Sequence, residues 1–68
     1  MKDEIIFKIY DLLKKPEHID GLMVDDIIAK LNISRNSFYD NIRELLLNDY
    51  VIKNTGIPRY YKYNTAKG

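Results

Sequence analysis

The run Val24-Asp-Asp-Ile-Ile-Ala-Lys-Leu-Asn-Ile-Ser-Arg-Asn-Ser-Phe-Tyr-Asp-Asn-Ile-Arg-Glu-Leu-Leu47 constrains the fold of this chain more than any other segment. Its apolar residues recur at helical spacing on either side of a break at Asn32-Ile33-Ser34. The spacing predicts a helix over about Val24 to Leu31 and another from about Arg35 to Asn48. Asn32 tolerates the left-handed conformation that ends a helix, Ile33 plugs the turn, and Ser34 is a good N-cap. Asp25 and Asp26 fall in the first turn of the earlier helix, where negative charge complements its dipole. Ile27, Ile28 and Leu31 form its buried side, and Ala29 is small enough for close helix approach. At about 100° per residue, the later helix gathers Phe38, Ile42, Leu45 and Leu46 on one side. Asn36, Tyr39, Asp40, Arg43 and Leu47 fall opposite.

Upstream, Ile5, Ile6, Ile9, Leu12 and Leu13 mark an amphipathic first helix. Asp3 or a neighbour can cap it, and Pro16 ends it near Lys15. Pro16 to Gly21 reads as a connector with a positive φ available at Gly21, and Leu22-Met23-Val24 as a brief extended segment. Downstream, Tyr50 to Asn54 and Arg59 to Tyr63 are rich in β-formers around Thr55-Gly56-Ile57-Pro58, which predicts a hairpin with a loop of about four residues. Arg59, Tyr61 and Tyr63 share one face of the last strand, Tyr60 and Lys62 the other. Tyr50 and one face of that strand are expected in the core, leaving Tyr60 or Tyr61 for contacts. Asn64 to Gly68 reads as a frayed tail.

Sixty-eight residues make a single domain, 1–68, with no room for a second core. An apolar content of 46% suffices for that core, and 31% charged residues argue against a membrane protein. No apolar run approaches bilayer length, no signal peptide is expected before the first helix, and there is no cysteine. A cytoplasmic location is expected. Net charge is only +1, but residues 1–32 carry five basic against seven acidic side chains and residues 33–68 six against three. The positive half contains the helix that begins at Arg35, and a nucleic-acid binder needs a basic face rather than a basic whole.

A short helix, a tight turn and a second helix opening with hydrogen-bonding side chains is an arrangement that enters a DNA major groove. The order helix, short strand, helix, helix, strand, strand resembles the winged helix-turn-helix domain from about Glu4 to Tyr63. It is similar to small prokaryotic transcription regulators of the ArsR and MarR kind. The likeness rests on Leu22-Met-Val-Asp-Asp-Ile-Ile-Ala29, the cap Ser34, Leu45-Leu-Leu-Asn-Asp-Tyr-Val51, and Gly56-Ile-Pro-Arg-Tyr-Tyr-Lys-Tyr63 as a wing tip with its returning strand. Two positions depart from the family pattern. Met23 stands where a Ser or Thr cap is usual, and Asp49 where Gly or Asn is usual.

The resemblance implies a mainly α (α+β) fold, three helices with a C-terminal two-stranded β-hairpin wing. It also implies a sequence-specific duplex DNA-binding regulator, with a repressor expected. On that reading Ser34, Arg35, Asn36, Ser37, Tyr39, Asp40 and Arg43 face DNA. Asn pairs adenine and Arg guanine bidentately, while Ser37 and Tyr39 suit phosphates. Asp40 would accept from a cytosine amino group or hold Arg43. Lys53, Arg59 and Lys62 are the wing candidates, Arg59 foremost, on the backbone or in the minor groove. Each side chain also has a plainer role, as a solvated helix face or as charge protecting a strand edge.

Leu47 lies outside the apolar sector of its helix. With Phe7 and Tyr10 it is read as a homodimer contact, the other possibility being contact with the first helix of the same chain. His18 has no second ligand, Asp25 and Asp26 diverge by about 100°, and no glycine-rich phosphate loop occurs. No catalytic residue, metal, cofactor or small-molecule ligand is therefore expected. The competing readings are a winged-helix protein-interaction module and a DNA-binding factor in replication or in plasmid or virus maintenance.

Overall fold

In the computed structural model, which describes residues 2–66, the central helix pair closes through two turns of one type. α2 (Val24–Leu31) ends at Asn32, whose backbone is left-handed (φ 55°, ψ 50°). The Ile33 N–H then donates back to the Ile28 carbonyl at 3.2 Å. α3 (Arg35–Leu47) ends likewise: Asp49 takes φ 62° and the Tyr50 N–H donates to the Leu45 carbonyl at 3.0 Å. Both are Schellman-type closures, with a polar residue in the position glycine most often fills. At the start of α3 the Ser34 hydroxyl accepts from the Ser37 N–H at 3.1 Å, as an N-cap should. Met23 precedes α2 with no side-chain cap, so that helix opens on backbone bonding and on Asp25 and Asp26.

α1 spans Lys2–Lys14, and the cap expected at Asp3 lies outside the described side chains. Lys15 is extended before the proline (φ −63°, ψ 140°), and Pro16–His18 form a single 3-10 turn inside the expected connector. Gly21 follows at φ +97°, where a Cβ would lie 3.0 Å from the Tyr61 carbonyl oxygen and 3.1 Å from the Lys62 Cβ. Conformation and space both require glycine there. The extended segment is realised at Leu22, whose N–H and C=O pair with Tyr61 at 2.9 and 2.8 Å.

β1 (Val51–Lys53) and β2 (Tyr61–Tyr63) pair antiparallel, with Val51 opposite Tyr63, Ile52 opposite Lys62 and Lys53 opposite Tyr61. Both strands are shorter than the sequence predicts, and residues 54–60 form the connecting loop. Asn54 is the reason. Its Oδ1 accepts from the Tyr60 N–H at 2.6 Å and its Nδ2 donates to the Pro58 carbonyl at 3.0 Å. The loop is thus closed by a side chain, and Pro58 has no N–H to offer a ladder. Asn64 is tied to the body, its N–H on the Tyr50 carbonyl at 3.0 Å and its Nδ2 on the Asp49 carbonyl at 2.9 Å.

The core joins all three helices to the sheet through Ile9, Leu12, Leu13, Ile27, Phe38, Ile42, Leu45, Val51 and Tyr61. Phe38 is fully buried, and the Tyr61 ring meets it edge-on at 5.2 Å. Each fully buried side chain of this size contributes on the order of 1.5–3 kcal/mol. Tyr50 is not in the core as expected: it is 42% exposed, because Val51 at 1% takes the inward place and strand neighbours alternate. Its ring instead packs edge-on against Tyr10 at 5.7 Å. Tyr61, one of the two tyrosines expected to be open to contacts, is buried, and Ala29 is solvent-exposed rather than set against another helix. The molecule as described has three helices and one two-stranded antiparallel sheet, an α+β arrangement.

Candidate functional site

α3 separates two grooves of opposite chemistry. One lies between α3 and the hairpin and encloses about 530 Å³. Val24, Ile42 and Leu46 form its apolar floor beside Tyr61. Its rim carries Tyr39 and Arg43 from α3, Lys53 from the end of β1 and Arg59 from the loop. No carboxylate lines it, and among the described residues Arg43, Lys53 and Arg59 are in no ion pair. Three cations from three segments thus face one space. Burial pushes the Tyr61 phenol pKa up, with Arg59 acting against that, so the ring bordering the groove stays neutral.

The remaining residues singled out from the sequence fall elsewhere. Ser34 and Ser37 are engaged locally. The Ser34 hydroxyl accepts from the Ser37 N–H and donates to the Ser37 hydroxyl at 3.0 Å, while the Ser37 carbonyl accepts from Asn41 Nδ2 at 2.7 Å. Arg35 Nη2 donates to Asp25 Oδ1 at 2.5 Å, a pair with both members exposed. Hydrogen bonding to Asp25, and then to Tyr39, raises the Arg35 pKa further above its ordinary value. The pairing stabilises little in water, but it leaves the Arg35 charge partly answered where that of Arg43 is open. Asn36 and Asp40 are exposed on the outward flank of α3 and do not line the groove. No ion pair joins Asp40 to Arg43 among the described residues. Lys62 pairs with Ile52 on the other face of the sheet, away from Lys53 and Tyr61.

The second groove, about 400 Å³, lies between α1 and the C-terminal half of α3. Ile6, Phe7, Tyr10 and Tyr50 give it an apolar and aromatic wall, with Glu44 and Asn48 from α3. Phe7 is 63% exposed on its rim. Leu47 does not line it and is 77% exposed, so it makes no buried contact with α1 of the same chain. At about 100° per residue, Leu47 shares the outward face of α3 with Asn36 and Asp40.

The sequence reading missed three residues of the site. From the sequence Asp25 is only a dipole partner, although it holds Arg35 across the turn. Asn54, which closes the loop, is by sequence pattern the end of a strand. Asn41 is 2% exposed, with Nδ2 bonded and Oδ1 without a partner. Its only signal was an amide inside an otherwise apolar helical sector.

Among the described residues there is no cluster of three side chains able to hold a metal ion, and no helix is long and apolar enough to cross a membrane. The chain matches no family model, no curated protein and no solved structure.

Proposed function

We propose that this chain is a winged helix-turn-helix domain that binds duplex DNA and acts as a sequence-specific transcriptional repressor by occupying an operator. The observation that carries the reading is the convergence of Arg43, Lys53 and Arg59 on one carboxylate-free groove beside the α3 flank. A phosphate backbone laid along that rim meets three cations with no competing carboxylate. Asn36, Asp40 and Tyr39 on α3 are then left to face base edges or the adjoining backbone. The hairpin is the wing. Arg35 reaches DNA from its seat on Asp25, which orients the guanidinium, and Lys62 contributes only if the backbone wraps past the outer face of the sheet.

The longest dimension of the domain is 28 Å. Successive major grooves lie about 34 Å apart on one face of a duplex. One copy therefore addresses one half-site, and a two-site operator calls for a homodimer. Phe7 and Tyr10 on α1 supply an apolar surface for that contact, and Leu47 a separate one.

Unbiased selection of duplexes from a random pool tests this reading, since it reports binding, sequence preference and half-site symmetry together. Enriched, related sequences are the expected result. A second reading, a protein-interaction module, is favoured by the aromatic groove and the net charge of +1. No duplex binding in a gel-shift titration, even at low salt, would favour it.

A further inference from the structure

The hairpin loop presents an apolar side chain that the fold does not use. Ile57 is 100% exposed at the tip, next to Pro58. The loop behind it is pinned: Asn54 holds the Tyr60 N–H and the Pro58 carbonyl through its side chain, and its own N–H donates to the Tyr60 carbonyl at 3.2 Å. Gly56, beside Ile57, is required for neither conformation nor packing. Its φ is not in the left-handed region, and a Cβ there would meet only Asn54 Nδ2, at 3.7 Å. A glycine with open space around it keeps the tip narrow without serving the fold. Arg59 and Lys53 flank the base of the same loop on the groove side.

We infer that Ile57 is a wedge: the tip enters the minor groove and Ile57 slides part-way between two stacked base pairs, opening the step and bending the duplex. This deepens the DNA-binding reading and rests on it. The minor groove is about 6 Å wide and admits a slim loop but not a helix. Branched aliphatic side chains at such sites unstack a step while nearby cations hold the phosphates on both sides. Charge is what selects DNA over a protein partner. An apolar knob seated between unpaired arginine and lysine side chains is matched to a polyanion with an apolar interior, which is what a base stack within its backbone is.

The test uses the full chain and duplexes of about 20 base pairs with a central TA step, the kind most easily opened, carrying 2-aminopurine at the adenine. Binding is followed by anisotropy and unstacking by 2-aminopurine emission. With the wild-type chain at saturation, emission should rise by about twofold or more as the step opens. Ile57→Ser, at a position too exposed to affect folding, should abolish the rise and weaken binding by about tenfold, with the salt dependence unchanged because no charge is lost. Gly56→Leu, which widens the tip, should also abolish the rise. Arg59→Ala should lower the salt slope by about one while the rise at saturation persists. Wild-type binding with no change in emission, or an equal rise with Ile57→Ser, overturns the wedge alone. No anisotropy change with any duplex at low salt overturns the wedge and the DNA reading together.

Discussion

The two flanks of α3 differ in almost everything except size. On the hairpin flank, cations from α3, β1 and the loop ring an apolar floor without a carboxylate. On the α1 flank, among the described residues, Phe7, Tyr10 and Tyr50 form an aromatic wall with Glu44 as the one charged lining residue, and the one cation against the wall, Lys14, lies over the Tyr10 ring at 5.3 Å. One helix thus divides a surface suited to a polyanion from a surface suited to apolar contact. The charge total of +1 conceals this. What matters for binding is how folding sorts the charges.

The largest expected effect tests that division directly. Arg43→Ala with Arg59→Ala should weaken duplex binding by about 100-fold at moderate salt and lower the salt slope by about two. Phe7→Ser on the other flank should leave both unchanged for a single domain, and anisotropy titrations at several salt concentrations compare them. If Phe7→Ser weakens binding as much with no change in oligomeric state by sedimentation, the flanks are not separate.

Gly21 sharpens the comparison because it supports only the hairpin side. Gly21→Ala places a methyl group 3.0 Å from the Tyr61 carbonyl at φ +97°. A destabilisation of about 2 kcal/mol is expected in urea unfolding, with amide exchange increasing most around Leu22 and Tyr61. Asp49→Gly should act the other way. It relieves a left-handed non-glycine residue and should stabilise by about 0.5–1 kcal/mol without altering duplex binding.

The smallest effect is on pH. Burial raises the Tyr61 phenol pKa, so the folded chain holds this proton more tightly than the unfolded chain does. Its contribution is fully present below the unfolded value of about 10 and declines as pH rises through that value and the higher folded one. Urea midpoints should hold steady up to about pH 9 and fall as pH rises above about 10, and the fall should be smaller in Tyr61→Phe.

The helices were legible because their signals are local. Asn32, Ser34 and the apolar spacing delimit α2 and the start of α3, whereas the left-handed site at Asp49 follows from the resemblance, which has Gly or Asn at that position. The hairpin was legible only in outline. Strand length depended on Asn54 bonding a residue six positions later, and Tyr50 and Val51 cannot be told apart as inward or outward without the exact end of α3. For the site, residue types were easier to read than their grouping. Arg43, Lys53 and Arg59 follow from the winged-helix resemblance, but only the packing of β1 against α3 sets them on one groove. Strand alternation alone sets Lys62 on the face opposite Arg59 and Tyr61, whereas the pairing of Arg35 with Asp25 comes only from packing.

Backbone amide shifts during titration with selected duplex test the central claim most directly. The account predicts movement at Tyr39, Arg43, Lys53 and residues 56–59 on the hairpin flank, with Phe7, Tyr10 and Tyr50 still in a chain held monomeric. Shifts confined to the α1 flank, or none on either flank at low salt, would contradict it.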